Sequence, residues 1–229
     1  MQQFDLNPNT LEKYIQNKNI TVDQYNKIID QNKHHFDALL NIVIKSGQTM
    51  EGGLFYYHQS STRITDDVNK QINLYVLGSI SNNILEIGFN AGHSALLLLL
   101  SNKDNKICCF DICEHAYTKE CFEYLSSQFP SRLELYEGDS NKTLLEYHNN
   151  NKDKKFDLCH IDGCHYTHVA NIDYFHTRMM CQKYTIIVFD DTNIPGLQML
   201  WNGYIRDCHM KEITLNKITV HQHSIGICL

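Results

Sequence analysis

The sequence predicts an α/β fold: an open, mostly parallel sheet with helices on both faces, preceded by an N-terminal helical extension. Three observations predict it. From residue 83 onward, apolar runs of strand length alternate with stretches of helical periodicity. The first run, Asn83-Ile-Leu-Glu-Ile87, enters a glycine-bent loop, Gly88-Phe-Asn-Ala-Gly92, and then an apolar helix opening at His93 and Ser94. The chain closes on two strand-like runs joined only by His221-Gln-His223, which read as an antiparallel hairpin.

The 229 residues suffice for one well-cored α/β domain with an extension, here placed at residues 1–50 ahead of a main domain at 51–229. A net charge of -6 weighs against nucleic acid or an anionic membrane as partner. No apolar run approaches a bilayer span, and Met1 to Thr10 is polar, so a cytoplasmic protein is expected. Nine cysteines in such a chain read as reduced, mostly buried thiols.

Residues 1 to about 48 are predicted helical. Leu11, Tyr14 and Ile15 recur at helical spacing, Thr21-Val-Asp-Gln24 reads as a capped start, and Phe36, Leu39, Leu40 and Val43 form an apolar face. These helices are open as a lid, a partner-binding element or a dimer arm, so a homodimer is among the expectations. Gly52-Gly53 ends the pattern, and Phe55 to Arg63 is aromatic and hydroxyl-rich, a possible lid or a packed connector. A helix over about 66–79 leads into the first strand.

Strands are then expected at 84–87, 106–111, 132–136, 156–161, 185–189, 211–219 and 224–228, with helices near 92–102, 116–128, 140–148, 167–180 and 196–206. In such a sheet the ligand lies beyond the carboxyl ends of the strands. The first strand delivers the glycine loop, where Gly88 and Gly92 permit tight turning and a helix N-terminus offers free N–H groups. The second ends in Asp111, about twenty residues on, placed to accept hydrogen bonds from ribose hydroxyls. The third ends in Glu137-Gly-Asp-Ser140, where Asp139 suits a helix N-cap as well as a ligand.

The glycine spacing chooses among nucleotide-like cofactors. A dinucleotide loop needs a glycine where this chain has Asn90. Glu86-x-Gly88-x-x-x-Gly92 instead resembles the E-x-G-x-x-x-G motif of class I S-adenosylmethionine-dependent methyltransferases. The resemblance implies a Rossmann-like seven-stranded sheet ordered 3-2-1-4-5-7-6 with the last strand antiparallel. It also implies a donor held by Glu86, Gly88, Asn90, Gly92, His93 and Ser94, by Asp111 and Ile112, by Gly138, Asp139 and Ser140, and by Asp162.

The fourth and fifth strands deliver Asp162-Gly-Cys-His165-Tyr166 and Asp190-Asp191-Thr192. Three carboxylates at neighbouring strand ends need a cation, an Arg or Lys, or solvent to compensate them. Few basic residues flank them in sequence, so a hard divalent ion such as Mg²⁺ is the economical expectation. Ile161-Asp-Gly-Cys-His-Tyr166 with Val188-Phe-Asp-Asp-Thr192 is similar to motifs of metal-dependent small-molecule O-methyltransferases. That group holds macrocin O-methyltransferase-like and cephalosporin-hydroxylase-like proteins and, more distantly, catechol O-methyltransferase. The similarity, over about residues 50 to 229, implies Asp162, Asp190 and Asp191 as metal ligands and a small-molecule hydroxyl as acceptor, with a sugar or glycosylated metabolite in view. It implies His165 or Asp162 as base. The lysine that follows the first metal aspartate in catechol-type enzymes has no counterpart here.

Rival readings are a nucleic-acid or protein methyltransferase, a non-catalytic binding protein, and a dehydrogenase. The first lacks a basic face or an Asn-Pro-Pro-Tyr motif, the intact carboxylates at 162, 190 and 191 speak against the second, and Asn90 in place of a glycine speaks against the third. A zinc site from Cys159, His160, Cys164, His165 and His168 fails on spacing, because adjacent strand residues point to opposite faces. Trp201 reads as core or as a pocket wall.

Overall fold

The computed structural model describes residues 7–56 and 62–229. Most of the proposed lid, residues 57–61, lies outside them. The N-terminal helices are α1 (Pro8–Asn17) and α2 (Val22–Ser46). Asn7 caps α1, and Thr21 caps α2 through a reciprocal pair with Gln24, as Thr21-x-x-Gln24 anticipates. Gly47 ends α2 in a left-handed conformation, φ 71°, which glycine adopts without strain.

The alternating units follow as α3 (Val68–Ser79), β1 (Asn83–Ile87), α4 (His93–Ser101), β2 (Lys106–Asp111), α5 (Ala116–Gln128) and β3 (Leu133–Glu137). Next come α6 (Ser140–Asn150), β4 (Phe156–Ile161), α7 (Thr167–Met179), β5 (Cys181–Phe189), α8 (Pro195–Arg206), β6 (Met210–Ile213) and β7 (Ser224–Cys228). The seven strands form one sheet in the order β3-β2-β1-β4-β5-β7-β6, with β7 antiparallel to both β5 and β6. The predicted order and hand of the last strand are those observed.

Strand alternation gives the sheet two cores. Ile84, Ile107, Leu158 and Val188 face α2, α3, α4 and α5, while Leu85, Phe110, Cys159 and Phe189 face α6, α7 and α8. α2 therefore shares the core of the sheet it precedes. Leu96 to Leu99 are all buried, so α4 is apolar on every side and is held by packing, each leucine contributing roughly 1.5–3 kcal/mol. All nine cysteines are free thiols, six of them buried. No helix among the described residues is long and apolar enough to cross a membrane.

The closing hairpin departs from the expectation. The strand predicted over 211–219 stops at Ile213, and 214–223 is a loop. Asn73 on α3 binds Asn216 through both its backbone and side-chain amides, and this pulls the segment off the ladder despite its strand-like alternation. That detour carries Val220 and His221 to the strand ends where the site lies.

Candidate active site

Gly88 leaves β1 at φ +91°, and a Cβ there would fall 2.0 Å from the Asp162 carbonyl oxygen, so the loops after β1 and β4 can touch only at glycine. Gly92 is packed against the Phe89 ring and Leu125, which makes its role structural. Asn90, also at positive φ, fixes the loop three ways. Its N–H donates to Asp111 Oδ2 (2.8 Å), its amide donates to the Glu51 carbonyl, and its Oδ1 accepts from the Tyr117 hydroxyl (2.7 Å). Asp111 Oδ1 accepts from the Cys113 N–H at 2.7 Å, so this carboxylate orders the turn and still faces the cleft.

A cleft of about 710 Å³ opens over these ends of β1, β2 and β3. Gly88, Asn90, Asp111, Ile112, Gly138, Asp139, Ser140 and Asp162 line it. Asp139 accepts from the Asn141 N–H at 3.0 Å as the N-cap of α6 and also lines the cleft. The volume and the hydrogen-bonding wall fit a nucleoside-sized ligand. His93 and Ser94 line a smaller adjoining recess beneath Met50 to Leu54. Burial holds His93 neutral, its pKa lowered to about 4.

Glu86 does not face this cleft. It is fully buried, with Oε1 3.3 Å from His160 Nδ1 and Oε2 accepting from the Cys109 thiol. Its place in the motif reflects a tie between β1, β2 and β4, with no direct reach to a ligand.

A second cleft, about 650 Å³, lies across Asp162 and His165 from the first. Asp66, Asp67, Lys70, Asp190, Asp191, Asn193 and His221 supply its polar wall, with Leu54, Tyr56, Ile64, Ile194 and Val220 the apolar one. Asp162 and His165 thus stand where two clefts meet.

The charges here differ from the sequence expectation in one respect. Lys70, on α3, reaches Asp190 Oδ2 with its ammonium at 2.7 Å, both groups buried. A single lysine in the mixed segment Val68-Asn-Lys-Gln-Ile-Asn-Leu74, over a hundred residues before Asp190, gave no sign of this. Burial alone would raise Asp190, but the Lys70 charge reverses that and holds its carboxyl at about 2. Burial would lower Lys70, and Asp190 with Asp162 instead keeps it well above the usual lysine range. Asp162 forms no ion pair among the described residues; burial, then the nearby Asp190 charge, pushes it well above the carboxylate range against the opposing charge of Lys70. His165 Nε2 is 2.8 Å from Asp191 Oδ2, and that hydrogen bond raises its pKa.

The three aspartates read as one ligand set divide between two groups. Asp162, His165 and Asp191 bring one donor atom each to within 4.8 Å of one another, and so do His160, Asp162 and Asp190. The outer group offers two carboxylates and an imidazole, a donor set that fits a divalent cation. Asp190, a member of the inner group, is also ion-paired with Lys70. Neither group contains a cysteine, so the zinc reading gains nothing among the described residues. Trp201 is core, its indole N–H donating to Glu212 Oε1 at 2.6 Å. His221 and His223, which no spacing singled out, lie at the cleft and behind it: His221 lines it, and His223 Nε2 meets Asn73 Nδ2 at 3.1 Å.

Residues 85–192 match the family model described as a methyltransferase domain. Among solved structures, a candidate O-methyltransferase from Klebsiella pneumoniae is similar with a TM-score of 0.63 at 15% identity, covering 85% of this chain and 89% of that one. The O-methyltransferase from Bacillus cereus in complex with SAH gives 0.62 at 16% identity, covering 96% and 97%. A TDP-rhamnose 3'-O-methyltransferase of calicheamicin biosynthesis gives 0.58 at 19% identity, covering 70% and 78%. At these identities the likeness speaks for the fold. Among curated proteins none matches.

Proposed function

From a chain whose residues 85–192 form a methyltransferase domain, we propose an S-adenosylmethionine-dependent O-methyltransferase acting on a hydroxyl of a small molecule. One observation carries the reading: two clefts meet at Asp162 and His165, one built for a nucleoside and the other lined by hydrogen-bonding side chains. A donor in the first cleft and an acceptor in the second approach each other there, and proximity in a fixed line is most of what methyl transfer requires. S-adenosylmethionine supplies an already activated methyl group.

The chain's own residues then have defined tasks. Asp111 and Asp139 accept hydrogen bonds from the donor's sugar and base, and the Gly88 turn lets the donor lie against the backbone. Asp191 holds His165 by Nε2, which leaves Nδ1 as the nitrogen able to take the acceptor proton. Asp162 is the competing base. Lys70 keeps Asp190 ionised and lends positive potential to the acceptor cleft. Asp162 and Asp191 would hold a divalent cation such as Mg²⁺, with the His165 imidazole as third donor only in place of its role as base, and the ion would supply acidification of a coordinated hydroxyl. A sugar hydroxyl is the favoured acceptor, in keeping with the sugar nucleotide named for the structural neighbour.

Calorimetry with S-adenosylhomocysteine against NAD tests the donor, and release of S-adenosylhomocysteine over a library of hydroxylated metabolites tests the transfer. Preference for NAD, or transfer only to protein or nucleic acid, overturns the reading. Loss of activity in EDTA that Mg²⁺ or Mn²⁺ restores supports the cation, and full activity in EDTA removes it.

A further inference from the structure

His160 sits in the middle of the sheet, 1% exposed, beside Glu86 of β1 and Val188 of β5. Side chains along a strand alternate between its two faces, so Asp162, two residues on from His160, and Asp190, two on from Val188, fall on the face that His160 occupies. The ladder carries on that far, with the Asp162 N–H donating to the Ile87 carbonyl and the Asp190 N–H to that of Ile161. A ring nitrogen of His160 accordingly lies within 4.8 Å of carboxylate oxygens of both aspartates.

The two ring nitrogens have unlike surroundings. Nδ1 meets Glu86 Oε1 at 3.3 Å, and Glu86, itself fully buried, also accepts from the Cys109 thiol. A carboxylate in that place sets the imidazole proton on Nδ1 and leaves the lone pair on Nε2. Nε2 is buried and has no hydrogen-bonding partner, so a second proton there would have nothing to bond to. The Lys70 ammonium is directed to Asp190 Oδ2 and makes no hydrogen bond to Nε2. A buried lone pair among carboxylates is unfavourable until a positive ion joins them.

We propose that His160 Nε2 is a ligand of a divalent transition-metal ion shared with Asp162 and Asp190, and that Glu86 orients the imidazole from behind. The proposal rests on reading these carboxylates as a cation site, and it gives the imidazole donor to His160 in place of His165. A metal-bound histidine ordinarily gives its other N–H to a carboxylate, which is what Glu86 provides. His165 differs, because its Nε2 already bonds Asp191, a fellow member of the outer group. That pair then stays intact, with His165 available as the base. Asp190 accepts from Lys70 at Oδ2 and from the Asp191 N–H at Oδ1, and each carboxylate oxygen has a second acceptor position for an ion. Asp162 and Asp190 line the acceptor cleft, which is the ion's way in. One nitrogen among oxygen donors favours Mn²⁺ or Co²⁺ over Mg²⁺, which takes oxygen.

The test uses the full chain, stripped of metal by a chelator and freed of any affinity tag, with Mn²⁺ alone as the probe. Calorimetry should show Mn²⁺ bound about tenfold or more tightly than Mg²⁺. Pulsed electron paramagnetic resonance should show a directly bonded nitrogen in the wild type and in His165→Ala, and none in His160→Gln, whose Mn²⁺ affinity should fall by about tenfold or more. Glu86→Gln should keep the nitrogen signal while losing about tenfold in affinity, and an unchanged affinity there overturns the orienting role. Urea unfolding reports which variants are folded, and His165→Ala, altered at a half-exposed side chain, carries the test if His160→Gln does not fold. Mn²⁺ bound without a nitrogen signal, a signal that survives His160→Gln or is lost in His165→Ala, or Mg²⁺ bound as tightly as Mn²⁺ overturns the proposal and leaves the cation reading standing. No binding of either ion overturns both. Calorimetry with S-adenosylhomocysteine on the same protein reads the methyltransferase assignment separately.

Discussion

The Lys70 ammonium lies 2.7 Å from Asp190 Oδ2, and both side chains are nearly inaccessible to water. Removing one partner of such a pair leaves the other charge buried and unpaired, which costs about 3–5 kcal/mol. Lys70→Met should therefore lower stability by that order in urea unfolding, and Lys70→Met with Asp190→Leu should recover most of it. Additive losses in the double variant would show that the two charges are not coupled. Loss of the ammonium should also strengthen Mn²⁺ binding, because it removes a fixed positive charge from beside the carboxylates.

Asp162 and His165 border both clefts, so their loss should separate chemistry from binding. Asp162→Ala and His165→Asn are each expected to lower the transfer rate by roughly 10²–10⁴-fold if the residue removes the acceptor proton. Affinity for S-adenosylhomocysteine should remain within about threefold, since Asp111, Asp139 and the glycine loop are untouched. Single-turnover rates and calorimetry on both variants identify the base. A variant that loses donor affinity in step with rate would be acting through the donor cleft.

Gly88 is the position where the loops after β1 and β4 come closest. At φ +91° with the Asp162 carbonyl 2.0 Å from an added Cβ, Gly88→Ala must displace the backbone that carries Asp162. A loss of about 2 kcal/mol or more in stability is expected, with S-adenosylhomocysteine binding weakened along with it. Gly47→Ala is the matched control, because it shares the positive φ with nothing within 4 Å. Equal effects at the two positions would mean that backbone strain alone explains Gly88.

The sheet was legible because its signals are local. Each strand is a short apolar run, each helix has its own periodicity, and the Gly88–Gly92 loop places the switch from one to the other. Asp111, Asp139, Asp162 and His165 were legible because strand ends bring them to one rim. What stayed hidden depends on contacts between distant segments. Lys70 reaches the aspartates only because α3 packs on the same core as β1, and Asn216 leaves the hairpin only because Asn73 holds it. Glu86 shows the converse, a motif residue whose carboxylate turns inward to His160 and Cys109.

Asp173 gives a test that involves pH. It is fully buried on α7, and neither carboxylate oxygen has a hydrogen-bonding partner of good geometry. Burial raises its pKa from 3.8 to about 6. Between those values the folded chain holds a proton that the unfolded chain has released, so stability falls as pH rises from 3.8 to 6 and is flat above. At about 1.4 kcal/mol per pKa unit, the ionised form costs up to about 3 kcal/mol at neutral pH. Asp173→Asn removes that cost while leaving an amide that is itself unpartnered, so the net gain should be about 1–3 kcal/mol near pH 8. The gain should vanish near pH 4, where wild-type Asp173 is protonated in the folded state. Urea unfolding of both proteins at the two pH values checks it, and an advantage that does not change with pH would mean that the carboxyl is not the group that titrates.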